Sequence, residues 1–188
     1  MVLACGRAAS VAPGVPVHTV PARPGKDDVD PLLTDVDRIV VLGDDADLAA
    51  VVLRLLRTER LADIAVALVA GEAAVTAALA GQPRAVPLVR DAVGGVLVGL
   101  GTIEPVRGMA YCDDTRVLNG DARAIRVTAC AEGVQVTVVR RLRRQQTVRG
   151  RAFEIGCDPA TVVSDGVPHD RPMKRWHWYR HTEDLLRF

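Results

Sequence analysis

Aromatic residues are scarce in this chain, and lysine is scarcer still. Phe, Trp and Tyr make up only 3% of the 188 residues, so valine, leucine, isoleucine and alanine have to build the hydrophobic core. Lysine occurs only at Lys26 and Lys174, and arginine therefore carries nearly all of the positive charge. The net charge of +1 argues against electrostatic binding of nucleic acid or of an acidic membrane surface by the chain as a whole.

Closely spaced cysteines and long apolar runs are also missing. The four cysteines are widely separated and form no Cys-x-x-Cys pair, which predicts reduced thiols rather than a disulfide framework or a zinc site. No segment reaches the roughly 18 apolar residues that a membrane-spanning helix requires. Residues 1–20 lack the basic and then apolar order of a signal peptide. We therefore expect a cytoplasmic protein with no metal site and no transmembrane segment.

Prolines set the first part of the chain apart. Five of them recur every few residues, at Pro13, Pro16, Pro21, Pro24 and Pro31. Proline interrupts helices and removes donors from sheet ladders, so residues 1–35 are predicted to be a flexible arm. Within that arm, residues 15–20 could form at most a short edge strand.

Strand and helix patterns alternate over residues 36–90. Residues 39–42, 64–69 and 86–89 are apolar runs, as expected for parallel strands covered on both faces. The two segments between these runs have the spacing of amphipathic helices. The first helix has Asp47 as its expected N-cap. This βαβαβ order predicts a short parallel sheet.

Helical periodicity ends near residue 90, and short strand patterns follow to the C-terminus. Asn119-Gly120 and Glu132-Gly133 are turn pairs between such strands, and the first is a strong hairpin signal. Residues 91–188 are therefore predicted to form an antiparallel β domain that ends in an aromatic and basic tail. The predicted fold class is α/β, with a short parallel βαβαβ sheet followed by an antiparallel β domain.

Three turns carry the chain's resemblance to a known family. Residues 43–47 read Gly-Asp-Asp-Ala-Asp between a strand and a helix, Gly71 follows the next strand, and Asp165 and Gly166 lie late in the β domain. This layout resembles the diacylglycerol kinase and NAD kinase superfamily, which includes bacterial lipid kinases. Those proteins have a Gly-Gly-Asp-Gly-Thr turn that cradles ATP phosphates, then a Gly-Thr-Gly-Asn turn, and later Asp-Gly-Glu.

The match is partial and covers about residues 38–167. Gly43 and Asp45 stand at matching positions of the first turn, whereas Asp44, Ala46 and Asp47 depart from it. The family's opening strand and its asparagine-bearing turn have no clear counterpart. The resemblance implies a ligand-binding set, which consists of Gly43, Asp44, Asp47, Gly71, Asp165 and Gly166.

The departures bear on function. Asp44 and Asp47 put negative charge where a polyphosphate would lie, and each charge about 4 Å from a phosphate costs about 4 kcal/mol at an effective dielectric near 20. We therefore expect a non-catalytic lipid-kinase-like protein, without a cofactor, that acts as a binding or regulatory module. The alternative is an active lipid kinase of the diacylglycerol type, with Asp45 as its catalytic residue and with ATP and Mg²⁺ held at these acids. The acids could also simply cap the helix that follows.

Two further regions are candidates for binding. Arginines cluster at Arg140, Arg141, Arg143 and Arg144, either as an anion patch or as a solvated hairpin turn. Because no aromatic residues are interleaved with them, nucleic acid is not an expected partner.

The tail contains Arg175, Trp176 and Trp178. These residues form either a docking surface, which would make the chain a structural protein-interaction module, or a strap that seals the core. The predicted partner is a small molecule or a protein of unknown identity, and a homodimer is left open.

Overall fold

A computed structural model describes residues 1–9, 14–140 and 145–188 of the chain. The chain divides into two compact units, Met1–Val86 with Glu183–Phe188, and Pro87–Thr182. The division after Val86 lies close to the boundary expected at residue 90. The last six residues differ from expectation, because they belong to the first unit and not to the β domain.

A parallel sheet forms the centre of the first unit. Its spatial order is β2 (Val17–Val20), β1 (Val2–Cys5), β3 (Arg38–Leu42), β4 (Ala65–Val69) and the end of β16 (Met173–Arg187). All the pairings between these strands are parallel. Nearly all residues of β1, β3 and β4 are buried, which explains why their sequences are continuous apolar runs.

The prediction of a flexible arm over residues 1–35 is wrong for β1. β1 is an internal strand of the sheet, since it pairs with β2 on one side and with β3 on the other. β2 is the edge strand that the sequence allowed. Pro16 and Pro21 flank β2 and do not interrupt it, so the sheet ladder keeps its donors. Pro13 lies outside the described residues.

Short helices pack around this sheet. They are α1 (Lys26–Val29), α2 (Asp45–Arg57) and α3 (Val75–Leu79), with 3₁₀ turns at Asp30–Leu32 and Glu72–Ala74. The buried face of α2 contains Leu48, Val51, Val52 and Leu55, at the spacing that the sequence predicts for an amphipathic helix. No helix among the described residues is long and apolar enough to cross a membrane.

Antiparallel strands build the second unit. They are β5 (Arg84–Asp91), which begins at the end of the first unit, β6 (Val96–Leu97), β7 (Leu100–Ile103), β8 (Val106–Cys112), β9 (Thr115–Ala122), β10 (Ala124–Cys130), β11 (Gly133–Val139), β12 (Gln145–Gly150), β13 (Ala152–Ala160), β14 (Val162–Ser164) and β15 (Val167–Pro168). One sheet continues from β16 through β13 and β8 to β9. The other has the order β12-β11-β10-β7-β14-β15. Buried side chains from both sheets form one core.

The predicted fold class is confirmed, with one difference in pairing. The third expected strand lies within β5, but β5 pairs with β16 and β6 and not with β4. The parallel neighbour of β4 is the end of β16, where Arg187 pairs with Val66. The chain thus completes its first sheet with its last strand.

The hairpin predicted at Asn119 and Gly120 is wrong. Both residues lie inside β9, opposite Met109 and Gly108. Only Gly120 of the pair has a positive φ, +104°, whereas a two-residue turn of the Asn-Gly type requires positive φ at both positions. The chain instead reverses between β8 and β9, where Asp113 has a φ of +47°.

Candidate functional site

The turn over residues 43–47 connects β3 to α2. Asp44 is the N-cap of the helix, and its Oδ1 accepts a hydrogen bond from the backbone N–H of Asp47 at 3.0 Å. In return, Oδ2 of Asp47 accepts from the backbone N–H of Asp44 at 3.1 Å. These reciprocal bonds form a capping box, in which side chains satisfy donors that the first helical turn leaves open. The N-cap of α2 is therefore Asp44, whereas the sequence led us to expect Asp47.

The carboxylate of Asp47 is enclosed at this helix end. The residue is only 5% exposed, and its Oδ1 accepts a hydrogen bond of 2.7 Å from the backbone N–H of Arg23. A Cβ atom added at Gly43 would lie 2.9 Å from the Cβ and Cγ atoms of Asp47 and would collide with its Oδ2 atom. The space that glycine leaves open at position 43 is thus filled by the protein's own carboxylate.

The ends of two neighbouring strands lie beside this turn. The backbone N–H of Gly43 donates to the carbonyl of Val69 at the end of β4, at 3.1 Å. The guanidinium of Arg7, two residues beyond β1, donates to the carbonyl of Ala70 at 3.3 Å. Gly71 is exposed and precedes the 3₁₀ turn, with open space around its Cα atom. The carboxyl ends of β1, β3 and β4 therefore meet at one edge, where ligands bind in open α/β sheets.

The thiol of Cys5 ends β1 close to the acidic turn. Burial raises its pKa to about 12, and the negative charges of Asp47 and Asp44 add to that shift. A thiol with this pKa stays protonated at neutral pH and is a poor nucleophile. All four cysteines are free thiols, as expected from their spacing.

Asp165 and Gly166 form the tight turn between β14 and β15. Both have positive φ, +51° and +81°, as a two-residue hairpin turn requires. Asp165 is 8% exposed, and its carboxylate accepts hydrogen bonds from three consecutive backbone N–H groups. The donors are Val98 at 3.0 Å, Gly99 at 2.8 Å and Leu100 at 3.1 Å. This carboxylate fastens the connection between β6 and β7.

The predicted site residues thus fall into two groups. Gly43, Asp44, Asp45, Asp47 and Gly71 lie together in the first unit, and Asp165 and Gly166 belong to the second. Sequence reasoning missed Arg23 as a partner of Asp47, because it lies in a proline-rich segment that gave no sign of a binding role.

The three carboxylates of the acidic turn differ in what they could offer to a magnesium ion. Asp44 and Asp45 are exposed, whereas the carboxylate of Asp47 is directed at backbone N–H groups. In the part of the chain that the structure describes, no three His, Cys, Asp or Glu side chains are arranged to hold a metal ion. The three carboxylates therefore do not form a three-ligand site, and those of Asp44 and Asp45 are open to solvent.

Of the arginine cluster, the structure describes Arg140 alone. Its guanidinium donates to the carbonyl of Val117 at 2.9 Å and to Oε1 of Gln146 at 3.2 Å. Arg140 therefore makes contacts within its own domain. The other arginines of the predicted anion patch, Arg141, Arg143 and Arg144, lie outside the described residues.

Trp176 and Trp178 are core residues and do not form a docking surface. Their exposed fractions are 2% and 0%, and the ring of Trp178 stacks on Phe153 with centroids 5.9 Å apart. Alternate residues of a strand face opposite sides of a sheet, so both tryptophans lie on the inner face of β16 while Arg175 is exposed. Of the three tail residues proposed for binding, Arg175 alone is accessible.

Comparison with solved structures identifies the fold. A diacylglycerol kinase from Bacillus anthracis str. Sterne matches with a TM-score of 0.70 at 11% identity, over 99% of this chain and 95% of the other. An NAD kinase from Archaeoglobus fulgidus, solved in complex with ATP, matches with a TM-score of 0.61 at 11% identity, over 100% and 92%. No protein-family model matches the chain, and neither does any curated protein sequence. The chain has the fold of diacylglycerol kinases and NAD kinases, so the resemblance predicted from sequence is confirmed at the level of the fold.

Proposed function

We propose that this chain is a non-catalytic lipid-kinase-like protein that acts as a binding or regulatory module. The observation that carries the proposal is the carboxylate of Asp47 at the N-terminus of α2. Helix N-termini bind phosphate because backbone N–H groups and the helix dipole both favour an anion there. In this chain the anion is the carboxylate of Asp47, which accepts hydrogen bonds from the backbone N–H groups of Asp44 and Arg23.

Binding of a nucleoside triphosphate at this turn would be opposed by two free-energy costs. Its phosphates would be repelled by the carboxylates of Asp44 and Asp47, and the described residues contain no preformed three-ligand metal site. Moving Asp47 aside would also leave the backbone donors of Arg23 and Asp44 without their acceptor. On this proposal the chain needs no cofactor, and its ligand is a small molecule or a protein that does not rely on a phosphate cradle.

Thermal unfolding in the presence of nucleotides tests the proposal. The purified protein is heated alone and with millimolar ATP or NAD, each with and without Mg²⁺ and at matched ionic strength. A ligand at 100 times its Kd would add about 2.7 kcal/mol and would raise the Tm by about 5–10 °C for a chain of this size. We expect no nucleotide-dependent shift.

The same experiment distinguishes the proposal from the alternative. A Mg²⁺-dependent shift with ATP that is lost in Asp45→Ala would favour an active lipid kinase of the diacylglycerol type. Phosphorylation of a diacylglycerol by the wild-type protein with Mg²⁺ and ATP, abolished by the same substitution, would establish that activity and refute the non-catalytic function.

A further inference from the structure

The segment that joins β4 to β5 has few buried side chains of its own. It begins with exposed residues at 70–74 and continues through the short helix α3 to Gly81. Val75 is the one buried residue of α3, and no side chain caps the start of this helix. A helix of this length is far below the roughly 12–15 residues that an isolated helix needs in water. Contacts with other parts of the first unit must therefore hold α3 in place.

One guanidinium group binds the far end of α3. Arg38 is the first residue of β3, and its Nη1 donates to the carbonyl of Leu79 at 2.8 Å and to the carbonyl of Gly81 at 2.8 Å. Carbonyl groups at the end of a helix have no partner inside the helix, and an arginine side chain can supply one. Arg38 therefore connects the end of α3 to the central sheet of the first unit.

An aromatic ring covers the same guanidinium group. The Cζ atom of Arg38 lies over the ring of Phe188, 5.3 Å from its centroid, which is within the range of a cation–π interaction. Among Phe, Trp and Tyr residues, Phe188 is the only one in the first unit. Its backbone N–H donates to the carbonyl of Val66 on β4 at 3.2 Å, and its side chain packs on the same apolar cluster as Leu79. The ring is thus fixed to the sheet on one side and to α3 on the other.

Gly81 brings the end of α3 into direct contact with Phe188. A Cβ atom added at Gly81 would lie 3.4 Å from the carbonyl carbon of Phe188, 3.5 Å from its Cβ atom and 3.0 Å from the carbonyl oxygen of Ala78. The end of α3, the guanidinium of Arg38 and the ring of Phe188 therefore form one cluster, and all of it belongs to the first unit. Because the guanidinium that binds α3 is also the one that the ring covers, loss of either side chain weakens the hold on the helix.

We propose that Arg38 and Phe188 form a latch on α3, and that opening of this latch releases residues 70–81 while the rest of the first unit stays folded. Local opening of this kind occurs where a segment buries few apolar side chains. The released segment includes Gly71, which lies at the carboxyl edge of the sheet described above. The latch thus controls how firmly one part of that edge is held. The inference does not depend on whether the edge binds a ligand, and its test uses none.

Hydrogen exchange of the full-length protein, followed by mass spectrometry, tests the latch. Phe188→Leu keeps an apolar side chain but removes the face of the ring, and Arg38→Met keeps the unbranched stem but removes the charge and the donors. Each substitution should speed exchange in peptides that cover residues 75–81 by about tenfold and leave peptides from α2 at the wild-type rate. The double variant should exchange little faster than either single variant, because both substitutions open the same latch.

The matched control is Arg84→Met, which makes the same change at an exposed arginine of β5. Its exchange over residues 75–81 should equal that of the wild type. Urea denaturation measures the global stability of every variant. Unchanged exchange over residues 75–81 in either single variant would overturn the proposal. So would an equal increase in α2, which would indicate general loss of stability, or a double variant whose increase is the product of the two single increases.

Discussion

The 43–47 turn of the first unit and the turn at Asp165 in the second both bury an aspartate whose carboxylate accepts backbone N–H groups. Both also stand at positions where the sequence resembles kinase motifs. They differ in where the donors come from. The Asp47 carboxylate accepts hydrogen bonds from one backbone N–H within its own turn and from one that is 24 positions away in the sequence. The three backbone N–H groups that donate to Asp165 are 65 to 67 positions away.

This difference separates two uses of one chemical group. Asp165 joins distant parts of the β domain, so its carboxylate contributes mainly to the stability of that domain. Asp47 sits at a helix N-terminus, where an anion is favoured, and its carboxylate supplies that anion from within the chain. Of the two, only Asp165 stands at a position that matches the family pattern, and its carboxylate binds backbone donors of the β domain.

The largest expected effect is the loss of stability in Asp165→Ala. The substitution leaves three backbone donors without their acceptor, and we expect the free energy of unfolding to fall by about 2–3 kcal/mol. Asp165→Asn keeps one acceptor oxygen and tolerates the positive φ, so it should lose clearly less. Urea denaturation of both variants measures the difference. Equal stability of Asp165→Ala and the wild type would show that the three bonds do not stabilise the domain.

The next largest loss of stability is expected for Gly43→Ala, which tests whether the Asp47 side chain fills the turn. The new Cβ would collide with the Asp47 side chain, and overpacking of this kind costs about 2 kcal/mol. In an Asp47→Gly background the same change should cost little, so the double-mutant cycle should give a coupling of at least about 1 kcal/mol. Additive effects of the two substitutions would mean that the carboxylate does not occupy this space.

The local parts of this fold were predictable from the sequence. Each of them follows from a pattern of neighbouring residues. These patterns are the apolar runs of β3 and β4, the amphipathic spacing of α2 and the change to short strands near residue 90. Such patterns report burial within one element. They do not report which element lies beside it.

Features that depend on distant partners were missed. β1 is four residues long, and its role as an internal strand follows only from pairing with β2 and β3. The pairing of Arg187 with Val66 joins residues 121 positions apart. The orientation of the Asp47 carboxylate likewise depends on the backbone N–H of Arg23. Arg23 lies in a segment that was predicted to be flexible because of its prolines. The pair Asn119 and Gly120 misled because its turn propensity was overridden by pairing with β8.

Gly166→Ala gives a smaller effect with a different physical cause. Nothing lies within 4 Å of the added Cβ atom, so only the backbone conformation at a φ of +81° opposes the change. We expect a loss of about 1 kcal/mol. Gly71→Ala in the first unit is the matched control, since its φ is −149° and its surroundings are open, and it should change stability by less than about 0.5 kcal/mol. A loss at Gly71 as large as that at Gly166 would contradict this distinction between the two glycines.

The smallest effect concerns ion pairs in the two units. The guanidinium of Arg54 donates to both carboxylate oxygens of Asp30, at 2.8 Å and 2.7 Å, and these hydrogen bonds lower the pKa of Asp30. A carboxyl group with a lowered folded-state pKa stabilises the protein above its unfolded-state pKa, and the contribution is lost as the pH falls through the folded-state pKa. In the second unit, Arg107 and Asp121 are 3.8 Å apart with both side chains more than 70% exposed, so solvent screens their attraction.

Asp30→Asn should therefore lower the free energy of unfolding by about 1 kcal/mol at neutral pH, and Asp121→Asn should leave it nearly unchanged. The difference between the wild type and Asp30→Asn should narrow as the pH falls below about 4, because protonation of Asp30 then removes the same ion pair. Urea titrations of the three proteins at neutral and acidic pH measure both effects. A difference between the wild type and Asp30→Asn that does not change with pH would show that the ionised carboxylate is not what ties α2 to the 3₁₀ turn at Asp30–Leu32.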